Sequence, residues 1–137
     1  MRRVGARLRV LPAVVIVLGL VLAGCGGAGG DGGPGGDCDT SRGTLVVGLV
    51  APLSGELASV GLGMKNSADL AVNEANARCA VPGYHLAVQS QDDRADPATG
   101  AAAATTLARD PSIVGVLGPF NSSVAQAVAP VLGEAGV

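Results

Sequence analysis

Aromatic side chains are almost missing from this sequence. Tyr84 and Phe120 are the only two among 137 residues, and tryptophan is absent. Proteins stack nucleobases and sugar rings on aromatic side chains, so the composition argues against a nucleic-acid or carbohydrate platform. Histidine is also scarce, because His85 is the only one. Histidine-based catalysis and a histidine metal site are therefore disfavoured, and we expect neither an enzyme nor a bound metal or cofactor.

Basic residues are also few over most of the chain, where acidic residues outnumber them. From residue 25 onward, five basic residues stand against all eleven acidic ones, a net charge of −6. This balance argues against nucleic acid or an anionic lipid surface as a partner. The other four basic residues are arginines close to the N-terminus: Arg2, Arg3, Arg7 and Arg9.

These arginines begin a segment with the composition of a signal peptide. They precede an apolar run over residues 10–23, which is short for a membrane span. The run ends in Leu22-Ala23-Gly24-Cys25, which resembles the lipobox of bacterial lipoproteins, where the cysteine is lipidated and becomes the N-terminus after cleavage. We predict a signal peptide over 1–24 and a lipid anchor to the cell membrane at Cys25, on its outer face or in the periplasm. The alternatives are an ordinary secretory signal and a retained membrane anchor.

A glycine-rich segment follows the predicted anchor. Residues 26–37 read GGAGGDGGPGGD and contain no apolar residue larger than alanine. Such a segment stays flexible and cannot form a core. We therefore expect residues 25–43 to be a tether and residues 44–137 to be the folded part. The glycines do not predict a phosphate loop, because no strand precedes them and no lysine follows them.

Only three cysteines are present. With Cys25 lipidated, Cys38 and Cys79 remain as a pair in an oxidising compartment, which favours a disulfide. Cys38 precedes the first predicted strand, and Cys79 follows the helix that returns to that end of the sheet. The disulfide is therefore expected at the amino edge of the sheet, away from the carboxyl edge where such folds bind a ligand. The spacing of the cysteines does not fit a zinc site.

The folded part alternates between strand and helix patterns. Apolar runs and alternation predict strands over 45–50, 84–91 and 113–117. Helical spacing and capping signals predict helices over 62–77, over 97–109 and from about residue 122 onward. This order predicts an α/β fold, a three-layer doubly wound parallel sheet. The two unbroken apolar strands should be neighbours, buried on both faces, with the alternating strand at the edge, which gives the order 2-1-3.

The turn before the last helix holds the main candidate site. Asn121, Ser122 and Ser123 follow Gly118-Pro119, at the carboxyl edge where open α/β sheets bind ligands. A helix start offers free N–H groups and a partial positive charge, which suit an anion. Alternatively, both serines only cap the helix. Ser54, in the loop after the first strand, should lie beside this turn and is a further candidate ligand residue.

Four segments taken together resemble a known family. They are LVVGLVAPLSGELASVG, the helix containing LAVNEAN, PGYHLAVQSQDDRADP and VGVLGPFNSSVAQAVAPVLGEAGV. Their order and spacing are similar to those of the periplasmic binding proteins that serve ABC importers of branched-chain amino acids. The resemblance covers residues 44–137. It implies two α/β lobes that close on a ligand, with this chain as most of the first lobe, and an ABC transporter permease as partner.

The resemblance also implies roles for individual residues. Ser122 would bind the α-carboxylate of the ligand through its hydroxyl and backbone N–H, with Phe120 and Asn121 lining the ligand. The acidic partner of the α-amino group would come from the second lobe. The chain departs from some members at two places. Val60 stands where they have an aromatic residue, and Ala95 and Asn121 stand where they have a disulfide.

Three functions follow as hypotheses. The leading one is a lipid-anchored receptor that delivers a branched-chain amino acid, or a similar amide or urea-like solute, to an ABC importer. The alternative is a ligand-sensing domain of a signalling receptor with the same fold. The third is an extracytoplasmic enzyme that uses Asp92 and Asp93. Adjacent carboxylates on a strand point to opposite faces, so we expect this pair to make turn hydrogen bonds and caps instead.

Overall fold

The computed structural model describes residues 37–137, which form three strands and three helices in strict alternation. In chain order these are β1 (Gly43–Ala51), α1 (Ala58–Ala77), β2 (Tyr84–Asp92), α2 (Pro97–Ala108), β3 (Ile113–Leu117) and α3 (Ser122–Ala135). The predicted signal peptide, the lipid-anchor cysteine and most of the tether lie outside the described residues. Within those residues, no helix is both long enough and apolar enough to cross a membrane.

The strands form one parallel sheet in the order β2-β1-β3. β1 pairs with β2 along its whole length, from Gly43 opposite Tyr84 to Ala51 opposite Asp92. On its other side, β1 pairs with β3, and Leu49 lies opposite Leu117. The predicted fold class and the strand order 2-1-3 are confirmed. The carboxyl ends of all three strands consequently meet at one edge of the sheet.

Helices cover both faces of the sheet. α2 and α3 pack against each other around a core that includes Val50, Leu107 and Val128. α1 packs against β2 and β1. Because successive strand residues point to opposite faces, Val50 faces the α2–α3 layer. Its neighbour Leu49 lines a groove beside α1 on the other face, so the three predicted layers are present.

Close approach of α2 to α3 depends on one glycine. A Cβ at Gly100 would overlap the side chain of Val124, which is fully buried. The N-terminus of α2 is capped as predicted, because the Asp96 carboxylate accepts from Thr99 N at 2.8 Å and Pro97 occupies the first turn. These local features place the start of α2 directly after the loop that follows β2.

Two burial predictions are wrong. β3 was expected to be buried on both faces, yet Val114 is 56% exposed and Leu117 is 48% exposed. Among the described elements, β3 has a strand neighbour on one side only, and α1 lies over β2 and β1. β2 is half-buried on both faces instead of alternating, although its edge position is confirmed.

Candidate functional site

The turn between β3 and α3 lies directly against the end of β1. Gly118 has a φ of 90°, a conformation that side chains with a Cβ rarely adopt. A Cβ at this position would also overlap the carbonyl oxygen of Val50. Both observations explain why the turn needs glycine here. The loops that follow β1 and β3 are thereby brought to the same edge of the sheet.

α3 begins with its serines inside the helix. Asn121 is the N-cap and makes no side-chain capping hydrogen bond, while Ser122 is the first helical residue. The interpretation of the serines as N-caps is therefore wrong. The first backbone bond of the helix runs from Ala125 N to Asn121 O at 2.9 Å. The N–H groups before Ala125 have no partner within the helix and lie at the positive end of the helix dipole.

The three residues predicted to contact ligand in this turn differ in exposure. Ser122 is exposed, and Phe120 is 51% exposed. Asn121 is half-buried, and its Oδ1 is buried without a hydrogen-bond partner in the described part of the chain. Phe120 and Ser122 are therefore accessible to a solute at this edge. Asn121 turns its oxygen into the protein, and its contact with ligand stays a prediction.

The fourth candidate, Ser54, is held by an acidic residue of the neighbouring strand. Its hydroxyl donates to Asp92 Oδ2 at 2.6 Å. The other carboxylate oxygen, Oδ1, accepts from Leu53 N at 2.8 Å and from Arg94 N at 2.9 Å. Asp92 thus joins the loop after β1 to the loop after β2. Sequence reasoning missed this role, although the parallel pairing of the two strands places Asp92 opposite Ala51, just before the first loop.

The electrostatics of Asp92 follow from these bonds. Burial acts to raise the pKa of its carboxyl group, but the hydrogen bonds from the Ser54 hydroxyl and from backbone N–H groups prevail. The pKa of Asp92 therefore lies below its ordinary value, because these donors favour the charged form. The carboxylate is ionised at neutral pH and can only accept hydrogen bonds.

Asp93 has the opposite environment. Its side chain is fully buried, Oδ1 accepts from Ala95 N at 2.8 Å, and Oδ2 is without a partner among residues 37–137. Burial, and then the negative charge of Asp92, raise the pKa of Asp93 above its ordinary value. The prediction that this pair makes turn hydrogen bonds is confirmed. Both carboxylates accept from backbone N–H groups of the loop after β2, and Asp92 alone of the two also bonds the loop after β1.

The disulfide lies away from these loops. Cys38 and Cys79 are joined, with their Cα atoms 5.5 Å apart. Cys38 precedes β1 and Cys79 follows the C-terminus of α1, so the disulfide is at the amino edge of the sheet. The carboxyl edge, with Ser54 and Ser122, is left without a covalent brace in this part of the chain.

An apolar groove lies between α1 and the sheet and reaches the turn after β3 at Gly118. Its volume is about 530 Å³, and its lining is formed by Leu49, Met64, Ser67, Ala68, Ala71, Leu117 and Gly118. This groove offers one hydroxyl and no charged group, so it does not provide the polar contacts that a zwitterionic solute requires. Within residues 37–137, no cluster of three or more histidine, cysteine or acidic side chains is arranged to hold a metal ion.

The fold and its carboxyl edge define a class of protein. Doubly wound α/β lobes bind ligands at the carboxyl edge of the sheet, where this chain has a helix N-terminus and two serine hydroxyls. The sequence profile of the periplasmic binding protein family matches residues 44–137. The chain belongs to this family, which places its folded part outside the cytoplasm.

Two proteins similar in sequence are named for the amino acids leucine, isoleucine and valine. The Leu/Ile/Val-binding protein BraC3 of Rhizobium johnstonii is 39% identical over 93 residues, which are 68% of this chain and 25% of that protein. The Leu/Ile/Val-binding protein homolog 2 of Brucella abortus is 36% identical over 98 residues, 72% of this chain and 26% of the homolog. The chain therefore spans about a quarter of the length of these relatives.

Two solved structures are similar to this chain in both fold and sequence. The branched-chain amino acid transporter substrate-binding protein LivJ of Streptococcus pneumoniae, in complex with isoleucine, has a TM-score of 0.64 and 31% identity over 69% of this chain and 27% of its own. An ABC transporter substrate-binding protein of Desulfitobacterium hafniense, in complex with leucine, has a TM-score of 0.55 and 29% identity over 69% of this chain and 27% of its own. Both were solved with an amino acid bound.

Proposed function

We propose that this chain is the first part of a solute-binding lipoprotein that captures a branched-chain amino acid for an ABC importer. In this proposal, residues 1–24 are the signal peptide, residues 25–43 are the lipidated tether, and residues 44–137 belong to the N-terminal lobe. The partners are an amino acid and an ABC transporter permease, and the protein has no catalytic role. The solved structures named as transporter substrate-binding proteins favour transport over the sensing alternative.

One observation carries the proposal: the exposed Ser122 stands in the first turn of α3, at the carboxyl edge of the sheet. A ligand carboxylate there would meet the free N–H groups of the helix start and the partial positive charge of its dipole. The Ser122 hydroxyl would add a charge-assisted hydrogen bond. Phe120, exposed beside it, offers an apolar surface for the side chain of the ligand.

Replacing Ser122 with alanine tests the carboxylate site. A hydrogen bond to a charged group contributes roughly 1.5–3 kcal/mol, so Ser122→Ala in the complete protein should weaken binding by about ten- to a hundredfold. Titration calorimetry with leucine, isoleucine, valine and a simple amide measures the loss and ranks the ligands.

Ser123→Ala is the matched control, because Ser123 is also exposed and is the next residue of the same helix turn. It should change affinity much less than Ser122→Ala. Equal affinities of wild type and Ser122→Ala for every ligand would contradict a carboxylate site at this turn.

A further inference from the structure

The side chain of Asn76, near the C-terminus of α1, pairs with the backbone of β2. Its Nδ2 donates to the carbonyl oxygen of Leu86 at 2.8 Å, and its Oδ1 accepts from the N–H of Leu86 at 2.9 Å. A primary amide carries a carbonyl acceptor and N–H donors, as a peptide group does. Asn76 therefore supplies both hydrogen bonds that a neighbouring strand would supply to Leu86.

β2 lies at an edge of the sheet. It has β1 on one side and, among residues 37–137, no strand on the other. In a strand, the backbone groups of successive residues point alternately to the two sides. Since Leu86 directs its N–H and C=O to Asn76, Val88 and Ser90 direct theirs to the same outer side.

An open strand edge can accept a strand from another molecule, which leads to association. The joining strand needs a run of free backbone groups on alternate residues of the edge. On β2, the N–H of Tyr84 is already bonded to the carbonyl oxygen of Val81 at 3.1 Å, and Leu86 is occupied by Asn76. The run available to another strand is therefore limited to the part of the edge that begins at Val88.

Asn76 is held in place beside the disulfide. The N–H of Cys79 donates to the backbone carbonyl of Asn76 at 3.0 Å, and Cys79 is joined to Cys38, which precedes β1. The Asn76 side chain is half-buried where α1 packs against β2. Because its backbone is fixed, the side chain loses little further conformational entropy when it bonds Leu86.

We propose that Asn76 closes the outer edge of β2 and so prevents a second copy of this protein from adding its own strand there. A second copy is the partner that this edge fits, because two identical edges can pair antiparallel about a two-fold axis. Leu86 is the third residue of β2, in its amino half, so this role of Asn76 is independent of a ligand at the carboxyl edge.

Amide hydrogen exchange on the complete protein, resolved by residue with NMR, tests the bond to Leu86. Asn76→Ala removes both hydrogen bonds, so the Leu86 N–H should exchange at least about tenfold faster than in wild type. Asn73→Ala is the matched control, because Asn73 is an exposed asparagine of the same helix. It should leave the exchange of Leu86 unchanged. Equal exchange of Leu86 in wild type and Asn76→Ala would overturn the proposal.

Sedimentation velocity at rising protein concentration tests the closed edge. Asn76→Ala should form dimers, whereas wild type and Asn73→Ala should stay monomeric. Asn76→Asp separates the closed edge from a mere loss of stability. The aspartate loses the donor to the Leu86 carbonyl, which should destabilise the protein, but it places a negative charge at the edge, which opposes pairing with a second copy. This variant should therefore stay monomeric although urea unfolding shows it to be less stable than wild type.

Monomers of Asn76→Ala at every concentration would overturn the proposal, and so would dimers of Asn76→Asp equal to those of Asn76→Ala. If circular dichroism shows that Asn76→Ala does not fold, Asn76→Gln takes its place in the same comparison. Its side chain is longer by one CH₂ group, which displaces the amide from Leu86, so it should form dimers for the same reason.

Discussion

At the scale of single residues, Asp93 is a buried carboxyl group in an unfavourable environment. Its side chain is fully buried and one of its oxygens has no hydrogen-bond partner in the described chain. Since burial and then the charge of Asp92 raise its pKa in the folded state, the folded protein binds this proton more tightly than the unfolded chain does. The contribution of Asp93 therefore favours folding below its unfolded pKa and is lost as the pH rises through the folded pKa.

Asp93→Asn should consequently stabilise the protein at pH 7. The amide oxygen keeps the bond from Ala95 N, and the buried charge is exchanged for a neutral NH₂ group that also lacks a partner among the described residues, so we expect a gain of about 1 kcal/mol in the free energy of unfolding. The gain should shrink as the pH falls through the raised folded pKa of Asp93 and vanish below its unfolded pKa, because the aspartic acid is then neutral in both states. Urea unfolding followed by circular dichroism at several pH values measures both effects.

Asp110→Asn is the control for this pH dependence. Hydrogen bonds from the side chain and then the backbone of Ser112 lower the pKa of Asp110, so its contribution has the opposite sign and is lost as the pH falls. Removing it should leave the protein no more stable at pH 7. A variant of Asp93 that is less stable than wild type at every pH would show that the carboxylate is needed where it lies.

At the scale of elements, the disulfide ties the segment before β1 to the end of α1. Cys38 and Cys79 close a loop of 41 residues in sequence. On the chain-entropy model, such a closure stabilises the folded state by about 4 kcal/mol. The double variant Cys38→Ala, Cys79→Ala should lower the free energy of unfolding by up to about that amount, measured by urea unfolding.

Ligand binding should be unaffected by the same double variant under conditions where it remains folded, because the disulfide and the serines lie at opposite edges of the sheet. Peptide mapping without reductant identifies the bond directly in the wild-type protein. Two free thiols in that map would be incompatible with the disulfide, and a loss of leucine affinity in the folded variant would link the two edges.

At the scale of the whole molecule, the N-terminal sequence predicts a site of attachment to the membrane. We expect Cys25 to carry the lipid, because the basic, apolar and small-residue segments meet there. Mass spectrometry of the protein from the membrane fraction should find a diacylglyceryl-modified Cys25 as the first residue. Cys25→Ser should release the protein from the membrane or leave its signal peptide uncleaved. Wild-type protein recovered in soluble form with an unmodified Cys25 would refute the anchor.

The sequence alone determined the order of elements, the parallel sheet and its strand order. Unbroken apolar runs and helical spacing are local patterns that each segment carries by itself, which is why β3 was predicted with its observed bounds, 113–117. The start of α1 was predicted four residues late. Its N-cap, Leu57, makes no side-chain capping bond, so no polar signal marks the helix start. Gly61 instead fits its first turn against the carbonyl of Pro52.

The candidate site was likewise predicted only in part from the sequence. Ser122 was predicted from a strand, a turn and a helix start that are contiguous in the chain, and its contact with ligand stays a prediction. The bond between Ser54 and Asp92 joins residues 38 positions apart, and only the parallel register, with Ala51 opposite Asp92, brings them together. The residue types predict a hydroxyl and a carboxylate at the carboxyl edge of the sheet. Which atom donates depends on distances and neighbours that arise when β1 and β2 pair, so the tertiary structure alone decides that the Ser54 hydroxyl donates to Asp92.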